Sequence, residues 1–511
     1  MKRLFSIILF FLFCTTVLRA EGGKIKGIHY VLDDSKMTAS VVSTRDERHE
    51  KNNYKGKIII PNTVKYKGNN YTVAEIKDDA FSGCYDLTDI TIPNSVKKIG
   101  RYAFYKCYSL RKITLPNSLE TIDDGAFNNC NGLQWTSIVI PNSVVKIGEF
   151  AFSNGVKSLI ISANNPNYSF SDGILFDKNK TKLIECLENK EGEYIIPDGV
   201  KEIGHKAFLG CNGLTSVIIP NSVTTIGLAA FEKCTALTSI TIPHNVISID
   251  YSAFGECGQL TRVTIDSDSF MKQNRSGRSL MDCLVGIFGA QVKEYIIGEH
   301  VTAIGDYTFF RSENMTSVVI GDNVTSIGYR AFYGCTGLTS VVIPENVTTI
   351  GKGATFHDCT ALKKVQWNAR NCSLELYDDD NFLPPFSGST SITEFCFGEK
   401  VKVIPECLCF NIKSLKSVNI PSSVTTIKQS AFRECSSLSS INIPNSVTEM
   451  KWCVFQGCIN LISITLPNSI KYLYKTTFKG CTQLKEINYP RGLDVSKLEI
   501  PTTTKLVAYD Y

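Results

Sequence analysis

Apolar and polar positions along this chain recur in a unit of 23 residues. One such unit begins at Leu237, alternates apolar and polar residues through Ile242, and is closed by Pro243. A period of two with β-branched residues predicts a short strand, which proline ends because it has no N–H to donate. The apolar residues Val246 and Ile249 predict a second, shorter extended segment.

The last part of the unit carries Ala253, Phe254, Cys257 and Leu260. Apolar residues at i, i+1, i+4 and i+7 are typical of one face of a short helix. Because no unit can bury its apolar side alone, we expect the units to stack. The predicted fold class is an α/β solenoid. It is a right-handed β-α superhelix with one long parallel sheet on the concave face and short helices or turns on the convex face.

The phenylalanine position identifies 14 units in groups of four, three, three and four. It is occupied by Phe81, Phe104, Phe127, Phe152, Phe208, Phe231, Phe254, Phe309, Phe332, Phe356, Cys409, Phe432, Phe455 and Phe478. Three spacers, around residues 160–197, 263–298 and 365–398, separate the groups. Each begins like a rung and then departs from the pattern, which predicts an enlarged rung with an irregular excursion.

Three motifs recur: Leu-x-x-Ile-x-Ile-Pro, Asn-Ser-Val-x-x-Ile-Gly and Ala-Phe-x-x-Cys. Residues 221–227 and 230–234 show the second and third cleanly. Together they resemble the BspA-like class of bacterial leucine-rich repeat proteins over residues 75–490, with departures at Cys409 and Ile412. The resemblance implies an amino-terminal cap at 21–74 and a closing cap at 491–511. It also implies a surface or secreted adhesin, since some members attach to extracellular-matrix proteins.

The amino terminus has the pattern of an export signal. Lys2 and Arg3 precede ten mostly apolar residues, and a more polar stretch ends at Ala20. Ten apolar residues are too few to span a bilayer, which takes about 20. We therefore predict a signal peptide at 1–20, cleavage near Ala20, no transmembrane helix, and a mature protein that is secreted or at the cell surface.

The charge balance and the histidine content argue against several classes of function. Without the first 20 residues the chain holds 51 basic and 49 acidic side chains, which argues against nucleic acid as a partner. Its six histidines are scattered, and His205 and His244 fall at variable positions of their units, which predicts solvated side chains. We expect no catalytic residues, no metal site and no cofactor.

Eleven of the 19 cysteines share one position of the repeat. Cysteine is among the most buried residues and packs as a small hydrophobe, so the repeat predicts a ladder of buried free thiols. The off-position group Cys396, Cys407 and Cys409 is where we expect any exception.

The outward strand positions are mostly Ser, Thr and Asn, which predicts a flat, polar and nearly uncharged face. Such residues also pack well on any exposed sheet, so repeat duplication alone accounts for them equally well. Our candidate binding residues on this face are Ser216, Ser239, Thr241, Ser340, Ser417, Asn419, Ser440 and Asn442. In the spacers, aromatic side chains are candidates for specific contacts, namely Trp367, Tyr377 and Phe382, beside Phe270 and Phe386.

The sequence thus predicts an exported, non-enzymatic protein that binds host or neighbouring-cell proteins of the matrix type. The alternative is a carbohydrate-binding or structural surface-layer component. Glycan sites stack sugars on exposed Trp or Tyr, so burial of the aromatics from Trp367 to Phe386 would weaken the glycan alternative. The sequence makes no prediction of oligomeric state.

Overall fold

The computed structural model describes residues 22–44, 53–188, 190–351, 353–374 and 383–510. The predicted signal peptide lies outside these residues. The chain forms two compact units, residues 1–188 and 189–511.

The first unit opens with strands joined mainly as antiparallel hairpins. Gly22–Ile25, Ile28–Asp33 and Thr38–Val42 pair in sequence order. Asn69–Ile76 then pairs in parallel with Thr38–Val42 and antiparallel with Thr63–Tyr66. The role of residues 21–74 as a cap stays a prediction.

Most regular rungs contribute a first strand of three to six residues and a second strand of two, as the alternation predicts. In the first unit the first strands are Gly56–Ile59, Leu87–Thr91, Lys112–Thr114, Ile138–Ile140 and Leu159–Ile161. The second strands are Lys98–Ile99, Thr121–Ile122 and Lys146–Ile147. Neighbouring rungs pair in parallel.

The first spacer begins as a rung, because Leu159–Ile161 pairs in parallel with Ile138–Ile140. It then forms an antiparallel meander of Tyr168–Ser171, Ile174–Asp177 and Lys182–Cys186. The excursion predicted from the broken repeat is therefore a small sheet of its own.

The second unit contains the same two kinds of strand. Its first strands are Glu191–Ile195, Gly213–Ile218, Ser239–Ile242, Arg262–Ile265, Glu294–Ile297, Ser317–Val319, Ser340–Ile343, Lys364–Trp367, Glu394–Phe397, Ser417–Asn419, Ser440–Asn442, Ser463–Thr465, Glu486–Pro490 and Lys505–Tyr509. Its second strands are Glu202–Ile203, Thr225–Ile226, Ser248–Ile249, Ala303–Ile304, Ser326–Ile327, Thr349–Ile350, Ser373–Leu374, Val403–Ile404, Thr426–Ile427 and Glu449–Met450.

The first strands do not form the one long sheet that we predicted. In the second unit they divide into sheets of two, four, five and three strands. Between Ser317–Val319 and Ser340–Ile343, for example, the Thr339 amide donates to the Thr316 carbonyl at 3.3 Å, longer than a typical backbone bond. Strands of three or four residues offer so few bonds that one poor contact interrupts the ladder.

The segments after the second strands form turns, one of the two predicted forms, and not the short helices that their spacing favours. Within the described residues, α-helix is confined to Asp268–Met271 and Leu284–Phe288 in one spacer. Two 3-10 turns occur at Asn131–Trp135 and Leu280–Asp282. The fold is thus a β-solenoid of stacked coils, and the helical layer of the predicted β-α superhelix is absent from the described part of the chain.

The segment around Ala253 and Phe254 forms turns because its hydrogen bonds run between rungs. The Phe231 amide donates to the Ala253 carbonyl at 2.7 Å, whereas the amide of Glu232 bonds back to Ala229 at 3.1 Å. Ser252 and Glu256 adopt positive φ angles of 56° and 54°, which a right-handed helix does not allow. Amides of alternate residues therefore serve the neighbouring rung instead of an i to i−4 ladder.

The core is a column of phenylalanines that stack from rung to rung. Ring centroids of Phe208 and Phe231 lie 4.9 Å apart, and those of Phe231 and Phe254 lie 5.0 Å apart. Phe288 continues the stack on Phe254 at 5.1 Å. A spacer residue thus occupies the phenylalanine position of the repeat.

The spacer around residues 365–398 also supplies a phenylalanine to the column. Phe386 stacks on Phe356 with centroids 5.0 Å apart. Cys409, which replaces phenylalanine in the following rung, is fully buried and keeps its place in the core.

Candidate functional site

The outward side chains of the first strands form two aligned rows, which we call the strand face. In the sheet of Ser340–Ile343 to Ser440–Asn442, Ser340, Lys364 and Glu394 follow one another in the first row. The second row of the same sheet runs Val342, Gln366, Cys396, Asn419 and Asn442. Inward residues between the rows, such as Val341 and Val365, are buried, and this alternation aims the rows at solvent.

The predicted strand residues lie on this face. Ser239, Thr241, Ser340, Ser417, Asn419, Ser440 and Asn442 are exposed, whereas Ser216 is half-buried. Strand pairing places Ser417 beside Ser440 and Asn419 beside Asn442. The structure therefore brings the last four together and leaves Ser216, Ser239 and Thr241 on other sheets.

A shallow groove of about 350 Å³ crosses these strands. Its lining comes from three consecutive rungs, with Ser417, Ser440, Asn442, Ser463 and Thr465 as its polar side chains. Hydroxyl and amide groups both donate and accept hydrogen bonds, so the groove suits a polar partner without a large net charge.

Charged residues on the strand face form ion pairs between the two first strands that lie at the ends of a spacer. Arg262 Nε lies 2.5 Å from Glu294 Oε2, and Lys364 Nζ lies 3.3 Å from Glu394 Oε2. In each pair the basic residue stands on the strand with which a spacer begins and the acidic residue on the strand with which it ends. Opposite charges on the strand face therefore cancel locally at these positions.

Aliphatic side chains interrupt the polar face. Val319 and Val342 are 52% and 50% exposed at equivalent positions of consecutive rungs. In the first unit Val139 and Ile160 are direct strand partners, 57% and 54% exposed. These residues add exposed apolar area to a face that is otherwise mostly polar.

The spacer aromatics are mostly core residues. Trp367 and Phe270 are 0% and 1% exposed, and Phe386 is 2% exposed. Tyr377 and Phe382 lie outside the described residues. Because Trp367 and Phe386 are buried, the condition stated above for weakening the glycan alternative is met at these two residues.

The repeated cysteines are buried, as predicted. The thiol of Cys107 donates to the Phe81 carbonyl at 3.2 Å, and the same bond recurs from Cys234 to Phe208 and from Cys257 to Phe231. Burial raises the pKa of the Cys257 thiol to about 12. These thiols therefore pack and donate, and they are poor nucleophiles and poor metal ligands in the folded chain.

A buried carboxyl lies in the first spacer. Glu185 is 1% exposed; it accepts the Phe152 amide at 3.2 Å and the Ser153 hydroxyl. In regular rungs a backbone carbonyl fills this role, as when the Phe127 amide donates to the Ala151 carbonyl. Burial raises the pKa of Glu185 to about 7, although both hydrogen bonds act in the opposite direction. The Glu185 carboxyl thus replaces the backbone carbonyl that accepts this hydrogen bond in a regular rung.

Sequence reasoning missed one cluster of chemically active side chains. His244, Asp266 and His300 each offer a ligand atom, and these atoms lie within 4.8 Å of one another. His300 Nδ1 lies 2.6 Å from Asp266 Oδ2, and the rings of His244 and His300 are stacked with centroids 4.9 Å apart. The signal that finds them is the alignment of three strand ends, which a search for local motifs does not use.

The repeat region of this chain matches a known protein family. The model of the BspA-type leucine-rich repeat region matches in six copies, over residues 56–181, 185–275, 288–408 and 404–500. The chain belongs to the BspA-type leucine-rich repeat family. Its matching segments hold the strand face, the phenylalanine column and the three-residue cluster. No helix in the described residues has the length and apolar character of a membrane span.

Several solved structures are similar to this chain. A leucine-rich repeat protein from Bacteroides ovatus is 26% identical, over 95% of this chain and 99% of that one, with a TM-score of 0.42. A leucine rich cell surface protein from Faecalibacterium prausnitzii is 24% identical, over 92% and 94%, with a TM-score of 0.29. The pneumococcal vaccine antigen PcpA is 15% identical, over 96% and 99%, with a TM-score of 0.27. No curated protein matches the chain.

Proposed function

We propose that this protein is an exported, non-enzymatic adhesin, secreted or held at the cell surface, which binds extracellular or host proteins of the matrix type. The observation that carries the proposal is the strand face. Its outward residues Ser417, Asn419, Ser440 and Asn442 are exposed on two neighbouring strands. The inward residues Val418 and Ile441 between them are buried. Membership in a family of repeat scaffolds supports the same function.

The composition of the face sets the mode of binding. Serine and asparagine side chains are short, so each rung contributes little buried area and few hydrogen bonds to a partner. Val319 and Val342 add exposed apolar area beside Ser317 and Ser340 of the same strands. A partner must therefore engage several rungs together, which is how repeat arrays generally use their extended surfaces.

The alternative is a carbohydrate-binding or structural surface-layer component. Sugar recognition needs exposed aromatic faces, and Trp367 and Phe386 are buried in the core. Exposed rings do occur elsewhere, since Tyr85 and Tyr108 stack at 5.3 Å and are each 43% exposed. A glycan panel therefore belongs in the first experiment.

The experiment measures binding of purified residues 21–511 to immobilised matrix proteins and to glycans at physiological salt. The test variant, Asn419→Arg with Ser463→Arg, places two long side chains on the strand face. The control variant, Asn460→Arg with Gln483→Arg, adds the same charge at exposed positions in the turns after Cys458 and Cys481.

Saturable binding to a matrix protein that the test variant loses and the control variant keeps supports the proposal. Binding to glycans alone favours the alternative. Binding to neither class overturns the adhesin assignment, and equal loss in both variants places the contact away from the strand face.

A further inference from the structure

The three-residue cluster is built on paired strands. Ile242, Ile265 and Ile297 are aligned in register at the ends of three neighbouring first strands. His244 stands two residues after the first of these, Asp266 one residue after the second, and His300 three residues after the third. Despite these unequal offsets, the ligand atoms of the three residues lie within 4.8 Å of one another.

We propose that His244, Asp266 and His300 bind one divalent transition-metal ion of the zinc class. Two imidazoles and one carboxylate form a ligand set that Zn²⁺ commonly uses, with water in the remaining position. The inference is independent of the adhesin proposal, because the ligands lie beyond the strand ends and not on the strand face.

Geometry brings the three side chains close to a binding arrangement. Two ligand atoms on one tetrahedral zinc ion lie about 3.3 Å apart, as follows from metal–ligand bonds of about 2.0–2.1 Å. The present separations run from 2.6 Å, between His300 Nδ1 and Asp266 Oδ2, to an upper limit of 4.8 Å. Both limits therefore lie within about 1.5 Å of the spacing that zinc requires.

The backbone around the cluster holds the carboxylate in place. Asp266 Oδ1 accepts the backbone amide of His300 at 3.1 Å, and the Asp266 amide donates to the Ile242 carbonyl at 2.9 Å. Gly298 leaves room for the same carboxylate, because a Cβ at that position would lie 2.1 Å from Asp266 Oδ1. A ligand fixed on rigid elements loses little freedom when a metal binds.

The next spacer supplies an internal comparison. Ile343, Trp367 and Phe397 are aligned as the three isoleucines are, and the positions equivalent to the cluster hold Glu345, Asn368 and Lys400. There Lys400 Nζ lies 3.0 Å from Glu345 Oε2.

In that spacer Lys400 and Arg370 both pair with the Glu345 carboxylate and neutralise its charge. At the cluster, no lysine or arginine of the described residues forms an ion pair with Asp266. The same place in the fold therefore carries an ordinary ion pair in one spacer and a metal-binding ligand set in the other.

The donor atoms select the metal. Imidazole nitrogens favour Zn²⁺, Cu²⁺ and Ni²⁺, whereas Ca²⁺ and Mg²⁺ prefer oxygen ligands. His300 is 53% exposed at its side chain, so an ion enters from solvent and water completes its coordination.

The test is a titration of metal-free residues 21–511 with Zn²⁺, in competition with a chromophoric chelator. We expect one equivalent to bind, and we expect His244→Ala, Asp266→Asn and His300→Ala each to weaken the affinity by about tenfold or more. Co²⁺ in place of Zn²⁺ should give visible d–d bands without thiolate charge-transfer bands, because the ligands are nitrogen and oxygen.

His205→Ala is the matched control. His205 Nε2 lies 3.6 Å from Asp250 Oδ2, yet this pair belongs to no three-ligand cluster of the described residues. The control variant should bind Zn²⁺ as the wild type does. No saturable binding, unchanged affinity in all three ligand variants, or thiolate bands with Co²⁺ would overturn the proposal. Far-UV circular dichroism establishes that each variant is folded.

Discussion

Replacing Glu185 with glutamine should remove a pH dependence that its burial creates. The carboxyl is 1% exposed, and its pKa is raised from 4.5 to about 7, chiefly by burial. A raised carboxyl pKa means that folding favours the protonated form. The stabilisation is therefore complete below pH 4.5 and is lost as pH rises through 7.

The magnitude follows from the shift itself. Each pKa unit corresponds to about 1.4 kcal/mol, so the rise from 4.5 to about 7 makes the folded rung about 3 kcal/mol less stable above pH 7 than below pH 4.5. Glutamine keeps an oxygen that accepts the Phe152 amide and the Ser153 hydroxyl, but it does not ionise. In Glu185→Gln this pH-dependent loss of stability should therefore disappear.

The assay is amide hydrogen exchange at Phe152 and Ser153 in residues 21–511 at pH 5 and pH 8, corrected for intrinsic exchange rates. A local probe is needed because repeat arrays often unfold in parts. Glu149→Gln changes an exposed carboxyl in the same unit and serves as the control. Equal pH dependence in wild type and Glu185→Gln, or greater protection of the wild type at pH 8 than at pH 5, would refute the reasoning.

Three further predictions follow from the core and the cluster. Phe231→Ala should lower the free energy of unfolding by about 3–5 kcal/mol, since the ring is fully buried and stacked on both sides. Urea unfolding measures this loss, and a loss below about 1 kcal/mol would contradict the prediction. Cys257 should resist iodoacetamide at pH 8 because its pKa is raised to about 12, and mass spectrometry should find it alkylated only after unfolding in urea. Gly298→Ala should weaken zinc binding because the new Cβ displaces the Asp266 carboxylate; unchanged affinity in the chelator competition would count against the proposed site.

The phenylalanine column was readable from the sequence because each rung repeats the same relation between neighbours. A side chain at position i meets its counterpart about 23 residues on, so one periodic pattern encodes both the unit and its stacking. Spacer residues Phe288 and Phe386 were not assigned to the column, since the intervals to Phe254 and Phe356 are 34 and 30 residues. Only the stacked rings identify them.

The error over the helices has a local cause. Ala253, Phe254 and Cys257 have the spacing of a helix face, and a ladder of turns buries the same three residues. Whether this segment forms a helix or turns depends on which carbonyls accept hydrogen bonds from its backbone amides. Those acceptors lie on the next rung, beyond the reach of a local pattern.

By itself, the sequence determined the family, the 23-residue rung, the inward column and the polar outward rows, because these depend on periodicity along one chain. Tertiary structure alone decided that turns replace helices, that Trp367 belongs to the core, and that His244, Asp266 and His300 converge. The last three residues are separated by 22 and 34 positions and leave their strands at different offsets. Their proximity arises from the pairing of whole strands, a contact between distant segments that no local spacing records.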